Sequence, residues 1–425
     1  MTLLTIILTS FFTLVLNAGE LSQIKSLKFY DKGLPAKSVL LYLEKSNQHT
    51  AKIFQQFVSQ INRKNETQIQ TIFYGDKNSQ EIADKHNLQF IPLQGQKWGQ
   101  DFGEILQAEF HTGDPSPLIF NTNQHKEVNP FVNKLKDFLH LPTLNLKGKS
   151  NAGNYGGNIE VDYFNNLFIG NSAGPKVFEI FSKLGQQQSL TTLESSWLHV
   201  GHLDEYISFI KTNAHSCGQV IAIPSAKKAL AILKNHPLEE IELLRNEPYD
   251  PFNIYYKNKI DGMTRLFINI YRALNDLGAV SENIVDQSLY SIAKTKIKEF
   301  LLVDEIIARN IRKIKNLYLQ ENKICPEPPI IEIPNLYVCG TSDSSHYPGQ
   351  LNNCRSFLPN AINMTVLDTS VIIPHPLFMP FKEEITELFA GFAIDPYFLP
   401  AMYYHVTDAG IHCGTYVLRD RFNWD

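Results

Sequence analysis

Short apolar segments alternate with amphipathic helical segments along most of this chain, and the alternation limits the possible folds more than any other sequence feature. Residues 39–43 have the apolar run of a buried strand, residues 49–62 carry apolar side chains at helical spacing, and residues 68–74 return as a strand. The same succession of signals recurs at residues 176–193, 220–235 and 383–397. This repetition predicts an α/β fold made of several similar units.

The composition is that of an ordinary globular protein and argues against nucleic acid as a partner. The chain has 425 residues, of which 43% are hydrophobic, enough for one large core or two ordinary ones. Only 19% are charged and the formal net charge is −4, so no basic surface for a phosphate backbone is expected. No low-complexity linker divides the sequence, which favours a single domain.

The N-terminal segment has the features of a secretory signal. Residues 1–18 contain no charged side chain, and residues 3–16 are apolar except for Thr and Ser. The run is too short for a comfortable membrane span, so we expect a signal segment over residues 1–18 and a single domain over residues 19–425. The protein is then expected in the extracellular space, the periplasm or the secretory-pathway lumen, without stable membrane insertion after signal removal. An uncleaved anchor or a buried first helix is the alternative.

The cysteines indicate one free thiol. They stand at positions 217, 325, 339, 354 and 413, and an odd number in a secreted chain leaves one unpaired. Four could pair while Cys413 stays free, although the sequence does not give the pairing. Cys413 lies between Gly410 and Gly414, where missing Cβ atoms leave room for a substrate to approach a nucleophilic sulfur. On this segment alone, a buried and inert or disulfide-bonded cysteine is an equal alternative.

Two glycine-containing segments place carboxylates beside other oxygen donors. Residues 97–104 (Lys-Trp-Gly-Gln-Asp-Phe-Gly-Glu) combine an aromatic ring, an amide and two acids. Residues 154–160 contain two successive glycines, which allow carbonyl groups to turn inward, followed by Glu160. Carbonyl and carboxylate oxygens are the ligands that Ca2+ prefers, but either segment alone is also explained by an ordinary turn.

A third segment, residues 197–205, contains a candidate proton-transfer pair. If the segment is extended, the side chains of His202 and Asp204 point to the same side, because strand side chains alternate. A histidine beside a carboxylate is suited to general acid/base work. His199 falls on the opposite side and is expected to be structural.

Taken together, these segments resemble the catalytic domain of the protein-arginine (peptidylarginine) deiminases, members of the guanidino-modifying enzymes. The similarity runs from about Ser38 to the C-terminus, and its motifs keep their order and spacing. The resemblance implies a pentein-like, five-bladed α/β propeller of repeated ββαβ units. Five motifs carry it: Trp98-x-Gln100-Asp101, Gly157-Asn158-x-Glu160-Val161, Trp197-x-x-Val200-Gly201-His202-x-Asp204-Glu205, Pro359-Asn360-x-x-Asn363-Met364 and His412-Cys413-Gly414-Thr415.

The resemblance also implies the roles of the catalytic residues. Asp101 and Asp204 would hold the substrate guanidinium, His202 would act as general acid and base, and Cys413 would be the nucleophile. Paired carboxylates suit a planar, permanently cationic group with many N–H donors. Trp98 is expected to pack along the aliphatic part of the substrate side chain. The implied reaction converts arginine in protein or peptide partners to citrulline and ammonia.

Calcium is the cofactor that the resemblance implies. The ligands would be Gln100 and Glu104, the carbonyls of Gly156 and Ile159, and the Glu160 carboxylate. Gly156 stands where the family has an aromatic residue, a change that leaves the carbonyl in place.

The residues expected to contact the substrate beyond its side chain depart from the family. Its arginines are replaced around Gln124 and Lys126 and at Thr407, and Lys126 is expected to do part of their work. The alternative substrates are therefore free arginine, agmatine or a C-terminal arginine. A different class, a secreted calcium-binding or interaction protein without turnover, also stays open. A cysteine protease is disfavoured because it has no need for two aspartates.

Overall fold

The computed structural model describes residues 15–16, 24–29, 34–93, 97–111, 114–122, 130–146, 151–184, 189–242, 254–321, 325–340 and 351–419. The strands are β1 (Val15–Leu16), β2 (Ile24–Phe29), β3 (Ala36–Tyr42), β4 (Gln70–Tyr74), β5 (Phe90–Ile91), β6 (Gly103–Phe110), β7 (Ser116–Asn121), β8 (Thr143–Asn145), β9 (Ile159–Val161), β10 (Leu167–Gly170), β11 (Leu190–Leu193), β12 (Ser208–Lys211), β13 (Gln219–Ser225), β14 (Ile330–Pro334), β15 (Tyr337–Val338), β16 (Arg355–Ser356), β17 (Thr365–Leu367), β18 (Ser370–Pro374), β19 (Asp395–Leu399) and β20 (Thr415–Arg419). The helices are α1 (Gln48–Asn65), α2 (Lys77–Lys85), α3 (Pro130–Leu139), α4 (Pro175–Leu184), α5 (Ala226–Asn235), α6 (Leu238–Glu242), α7 (Ile254–Leu274), α8 (Ile284–Glu321), α9 (Met379–Ala390), α10 (Met402–Val406) and α11 (Ile411–Gly414).

Five sheets share one pattern of pairing, in which two antiparallel strands are followed by a helical crossover to a third strand, parallel to the second. In one of them β20 is antiparallel to β3, and α1 leads to β4, which is parallel to β3. The other four are β6–β7–α3–β8, β9–β10–α4–β11, β12–β13–β14 with α5 to α8 in the crossover, and β17–β18–α9–β19. The predicted α/β fold and its repeated ββαβ units are therefore present in the strand pairing.

The elements follow the apolar pattern of the sequence. The helix predicted over residues 49–62 is α1, whose buried residues Ala51, Phe54, Val58 and Ile61 recur at helical spacing. Strand β13 is buried at every residue, as its apolar run requires between a neighbouring strand on each side.

Two disulfides form among the described residues, Cys217–Cys325 and Cys339–Cys354, and Cys413 is free and buried. The expectation that four cysteines pair while Cys413 stays free is confirmed. The first bridge ties the start of β13 to the segment before β14, and the second joins the end of β15 to the residue before β16.

The N-terminal prediction lies almost entirely outside the described residues. Of residues 1–18, Val15 and Leu16 are described, and they pair in parallel with Thr143 and Leu144 of β8. Within the described part of the chain, no helix is both long enough and apolar enough to span a bilayer.

The segments that precede the first strand of each unit converge on one place, and they carry the five sequence motifs. The turn before β6 contacts the turn before β9 and also α11, while the turn before β9 contacts the turn before β12. These segments are Gly99–Phe102 before β6, Gly156–Asn158 before β9, Leu203–Glu205 before β12, residues 360–363 before β17 and α11 before β20. Side chains that are far apart in sequence meet because their units repeat the same geometry.

Candidate active site

Cys413 lies on α11, the single helical turn that leads into β20, with its thiol turned towards carboxylates. Its Sγ donates to Oδ2 of Asp204 at 3.4 Å and accepts from Nδ2 of Asn363 at 3.3 Å. Burial and the nearby charges of Asp204 and Asp101 raise the pKa of the Cys413 thiol well above its ordinary value. Without a cation in the site, the sulfur therefore stays protonated.

Asp204 is the most connected group of the cluster. Its Oδ2 accepts from Nδ1 of His412 at 2.8 Å as well as from the Cys413 thiol, whereas its Oδ1 is buried and has no hydrogen-bond partner among the described residues. Burial alone would raise the pKa of Asp204, but the hydrogen bond from His412 and the neighbouring imidazoles of His412 and His202 outweigh it and lower the pKa. Asp204 is thus an anion with one oxygen free for a ligand.

His202 is buried beside this carboxylate in a defined tautomer. Its Nε2 lies 2.9 Å from the carbonyl oxygen of Ala152, which can only accept, so Nε2 carries the proton. Nδ1 is buried without a partner in the described structure. Burial lowers the pKa of His202, against the opposing effect of Asp204, so the imidazole is neutral with a free lone pair for a proton.

The pairing of His202 with Asp204 arises differently from the expected strand alternation. His202 has extended backbone angles but stands at the start of the 3-10 turn Leu203–Glu205, which holds Asp204. The backbone N–H of His202 donates to Oε1 of Glu205 at 3.2 Å, which closes that turn. The tight turn keeps the two side chains together, as the extended segment would have done.

Asp101 supplies a second buried carboxylate. It lies on the turn Gly99–Phe102, and no side-chain hydrogen bond to it is made by any described residue. Burial, and next the charge of Asp204, raises the pKa of Asp101 well above its ordinary value. A pair of carboxylates held in this way needs a cation with several donors to be stable as two anions.

Asn363 connects the nucleophile to the acid, a role that the sequence motif did not reveal. Its Oδ1 accepts from the backbone N–H of Cys413 at 3.2 Å, and its Nδ2 reaches the carbonyl of Asp204 at 3.2 Å as well as the thiol. Asn360 supports the same turn by donating to the carbonyl of Glu205 at 2.7 Å. The sequence signal available for Asn363 was its place in the motif Pro359-Asn360-x-x-Asn363-Met364.

Gly157 permits the closest approach in the site. A Cβ atom at this position would lie 2.7 Å from Nδ1 of His202 and 3.0 Å from Oδ2 of Asp204. Any larger residue would have to displace the acid/base pair, so glycine is required here by space.

The predicted calcium ligands also come together. Gln100, Glu104, Ile159 and Glu160 line one cavity of about 100 Å3, which His412 and Tyr416 also border. Nε2 of Gln100 donates to Oε1 of Glu104 at 2.7 Å, and a Cβ on Gly156 would lie 3.0 Å from that same oxygen. Such a Cβ would also lie 2.5 Å from the carbonyl oxygen of Gln100, so glycine at 156 is a steric requirement and not only a tolerated change.

The remaining candidates are placed as follows. Trp98 is half-buried, with its ring centroid 6.1 Å from that of Tyr404. Lys126 and Gln124 lie outside the described residues. The hydroxyl of Thr407 donates to the carbonyls of Tyr403 and Tyr404, so it is engaged with α10.

His202, Asp204 and Cys413 place a ring nitrogen, a carboxylate oxygen and the sulfur within 4.8 Å of one another. A thiol, an imidazole and a carboxylate so close together have the chemistry that covalent catalysis on a cationic substrate requires. The fold and this unit together define the class of guanidino-modifying α/β proteins that the sequence motifs resemble.

The chain belongs to the protein-arginine deiminase family. The model of that family, Protein-arginine deiminase (PAD), matches residues 171–425, more than half of the chain, a range that includes His202, Asp204 and Cys413. Asp101 and all five predicted calcium ligands lie before the matched range.

Relatives agree with this assignment. Protein-arginine deiminase type-4 of Mus musculus is 25% identical over 362 residues, 77% of this chain and 47% of that protein. The Homo sapiens type-4 protein is 24% identical over 364 residues, with the same coverage of 77% and 47%. The chain spans about half the length of the curated relatives it matches. Among solved structures, the C. jejuni agmatine deiminase aligns with a TM-score of 0.51 at 13% identity, over 93% of this chain and 97% of that one; this likeness is one of fold.

Proposed function

We propose that this protein hydrolyses the guanidinium group of peptide- or protein-bound arginine, giving citrulline and ammonia. The observation that carries the proposal is the pair of buried carboxylates, Asp101 and Asp204, beside the free thiol of Cys413. Membership of the protein-arginine deiminase family supports it.

A guanidinium group would supply the hydrogen-bond donors and the positive charge that the two carboxylates lack. It is planar, permanently charged and carries five N–H donors in a rigid fork, so it can bond two carboxylates at once. Oδ1 of Asp204 is a buried acceptor without a partner in the described structure, and Asp101 is equally without a side-chain hydrogen bond there. The substrate would supply the missing donors and neutralise the repulsion between the two acids.

In the first half of the reaction the bound cation would assist the thiol. The carboxylate charges that raise the pKa of Cys413 would be offset by the guanidinium, and the proton would pass to Nδ1 of His202. The sulfur would bond to the central guanidinium carbon, and a carbon–nitrogen bond would break. Protonated His202 would give its proton to the leaving nitrogen, which departs as ammonia.

The second half would use the same imidazole in reverse. Nδ1 of His202 would take a proton from a water molecule, the water oxygen would bond to the central carbon, and the carbon–sulfur bond would break. The protonated imidazole would give its proton to the departing sulfur, and the proton of the added hydroxyl would pass to solvent, leaving the ureido group of citrulline and the regenerated Cys413 thiol. Buried Asp204 would keep the imidazole close to the reacting carbon through both halves.

Calcium binding belongs to the same proposal. Two carboxylates and an amide oxygen on one cavity, Glu104, Glu160 and Gln100, fit the oxygen donors that Ca2+ prefers. The ion, when bound, would supply positive charge that neutralises the two acids and holds the segments before β6 and β9 together. Because Asp101 lies next to Gln100, ordering of this segment would position the carboxylate for substrate.

A calcium test can be read out apart from turnover. We expect calcium to raise the melting temperature and chelator to reverse the increase, because an ion that binds only the folded state stabilises it. Glu160→Gln should weaken the response, whereas Glu109→Gln, a control on β6 that does not line this cavity, should retain it. Full turnover and an unchanged melting temperature in excess chelator would contradict calcium dependence.

Two features of organisation are proposed with the function. The five ββαβ units would be arranged as the five blades of a propeller around the converging turns. The protein would act in a secreted compartment, which the uncharged segment of residues 1–18 and the two disulfides support.

The proposal is tested by release of ammonia and citrulline. The purified protein and its Cys413→Ala variant would be assayed on an N-blocked arginine amide, on free arginine and on agmatine, with and without calcium. Turnover of the blocked amide that depends on Cys413 is the expected result. Turnover of free arginine or agmatine alone would move the enzyme to the small-molecule alternatives. Silence on every substrate would favour a binding protein without turnover.

A further inference from the structure

A second, larger cavity is bordered by Asn363, whose side chain hydrogen-bonds the thiol of Cys413. Its volume is about 500 Å3, within the range of roughly 300–1,000 Å3 typical of ligand pockets. Asn363, Gly410 and Glu205 border it on the side of the thiol. The substrate atoms beyond the guanidinium must lie outside the buried carboxylate pair, and the position of Asn363 between the thiol and this cavity makes the cavity a candidate for that space.

Arg355 lines this cavity in a fixed arrangement. Its Nη1 donates to Oδ1 of Asp408 at 2.6 Å, and its Nη2 donates to Nε2 of His199 at 2.9 Å. Since Nε2 of His199 accepts, the proton of that ring is on Nδ1, which contacts Oδ1 of Asn353. Within the described residues no acceptor bonds to Nε of Arg355, so this N–H is left for a ligand.

The charge of the cavity is positive at neutral pH. Lys259 of α7 also lines it, is exposed and has no ion-pair partner among the described residues. Asp408 is the opposing anion, whereas burial and the charge of Asp204 raise the pKa of Glu205 well above its usual range, so that group is neutral. Burial and the charge of Lys259 lower the pKa of His405 to about 4, so it adds no charge. One positive charge is left in excess.

We propose that this cavity binds the α-carboxylate of the substrate arginine through Arg355, with Lys259 contributing longer-range attraction. The inference rests on the proposed function, because the carboxylate is placed by the guanidinium that Asp101 and Asp204 hold. The preferred substrate is then an arginine with a free carboxylate, either the C-terminal residue of a peptide or the free amino acid. Agmatine and internal arginines lack this group.

The test compares matched substrates on the same enzyme. Nα-benzoyl-arginine represents a C-terminal arginine, its amide lacks the carboxylate, and free arginine adds an α-ammonium group. We expect kcat/KM to be higher for the acid than for the amide, and Arg355→Gln to lower the value for the acid by about tenfold or more, as expected for loss of a charge-assisted hydrogen bond. The kcat/KM for the amide should change less than about twofold, since the amide has no carboxylate to bond to Arg355.

Two further variants separate recognition from folding. Asp408→Asn removes the carboxylate that competes for Arg355 and keeps a side chain suited to the positive φ of 60° at this position, so turnover of the acid should rise. Arg309→Gln is the control. Arg309, on α8, forms a similarly exposed ion pair with Glu194 and does not line the cavity. It should leave the ratio of acid to amide unchanged.

Binding to the Cys413→Ser protein distinguishes a wrong subsite from a wrong reaction. Calorimetry would measure Nα-benzoyl-arginine and its amide on Cys413→Ser with and without Arg355→Gln. Selective loss of acid binding in the double variant supports the subsite even if the parent protein shows no turnover. A parent protein that prefers the amide, equal losses for acid and amide, or absence of binding of the acid would each overturn the inference. A preference for Nα-benzoyl-arginine over free arginine would identify the C-terminal arginine of peptides as the substrate. The opposite preference would identify the free amino acid.

Discussion

Nδ1 of His412 lies 2.8 Å from Oδ2 of Asp204, so the residue before the nucleophile holds the carboxylate beside it. The same oxygen accepts the thiol of Cys413. The Asp204 carboxylate therefore links His412 and Cys413 of α11 to the segment that carries His202. A substrate must enter a site whose groups are already hydrogen-bonded to one another.

His412→Ala should move the acid limb of the pH profile of kcat/KM to higher pH. The His412 hydrogen bond and charge lower the pKa of Asp204 against the effect of burial. Their loss raises that pKa, so the carboxylate is protonated, and guanidinium binding lost, at a higher pH than in the parent protein. His202, Cys413, Asp101 and Glu205 also face Asp204 and are unchanged in this variant.

His412→Asn is the informative partner of that variant, since its amide N–H can replace Nδ1–H without a titrating ring. We expect its acid limb to lie closer to that of the parent protein. Identical profiles for the alanine and parent proteins would show that His412 has no influence on the titration of Asp204.

Asp101→Asn should abolish most activity while stabilising the fold. The substituted amide has the same shape but cannot accept a charge-assisted bond, which is worth about 1.5–3 kcal/mol, so kcat/KM should fall by roughly tenfold to a hundredfold or more. Asparagine does not ionise, so it avoids the free-energy cost of holding the Asp101 carboxyl buried beside Asp204, and the free energy of unfolding should rise by about 1–2 kcal/mol, as at other strained active-site positions. Denaturant unfolding in the absence of substrate measures the second effect. A destabilised variant would mean that Asp101 is already paired in the resting protein.

Gly157→Ala should reduce kcat far more than it reduces stability. The new methyl group would lie 2.7 Å from Nδ1 of His202, closer than atoms tolerate, and would push the ring from Asp204. A displacement of even 1 Å is expected to lower the rate by about a hundredfold. Gly391→Ala is the matched control, because its Cβ would meet no atom closer than 3.4 Å and its backbone is right-handed helical. Equal activity of the two variants would contradict the crowding argument.

The two disulfides should differ in what they contribute to stability. Cys217 and Cys325 are separated by 108 residues, and Cys339 and Cys354 by 15. Loop-closure entropy predicts that replacing the first pair by alanines lowers the free energy of unfolding by about 1–2 kcal/mol more than replacing the second. Paired denaturation curves of the two double variants give the difference. A larger loss from the second pair would indicate that its main role is to hold the wall of the Arg355 cavity in place.

Local sequence determined the parts of this protein that depend on neighbours along the chain. Apolar periodicity set α1 and β13, because burial of one helical face or of a whole strand is decided by the spacing of side chains. His202 and Asp204 were recognisable as a pair because they stand two positions apart, so that an extended strand or a tight turn brings their side chains together. The odd number of cysteines predicted one free thiol, and the glycines around Cys413 made it the candidate.

The tertiary structure alone decided which distant groups meet. Asp101 faces Asp204, His412 bonds a carboxylate 208 residues away, and Asn363 bridges that carboxylate segment to the thiol. The pairing of the cysteines and the contact of Arg355 with Asp408 and His199 also depend on the tertiary structure, and the sequence predicts neither. The physical reason is that these contacts depend on how the ββαβ units pack against one another, whereas a sequence pattern records the preferences within each unit.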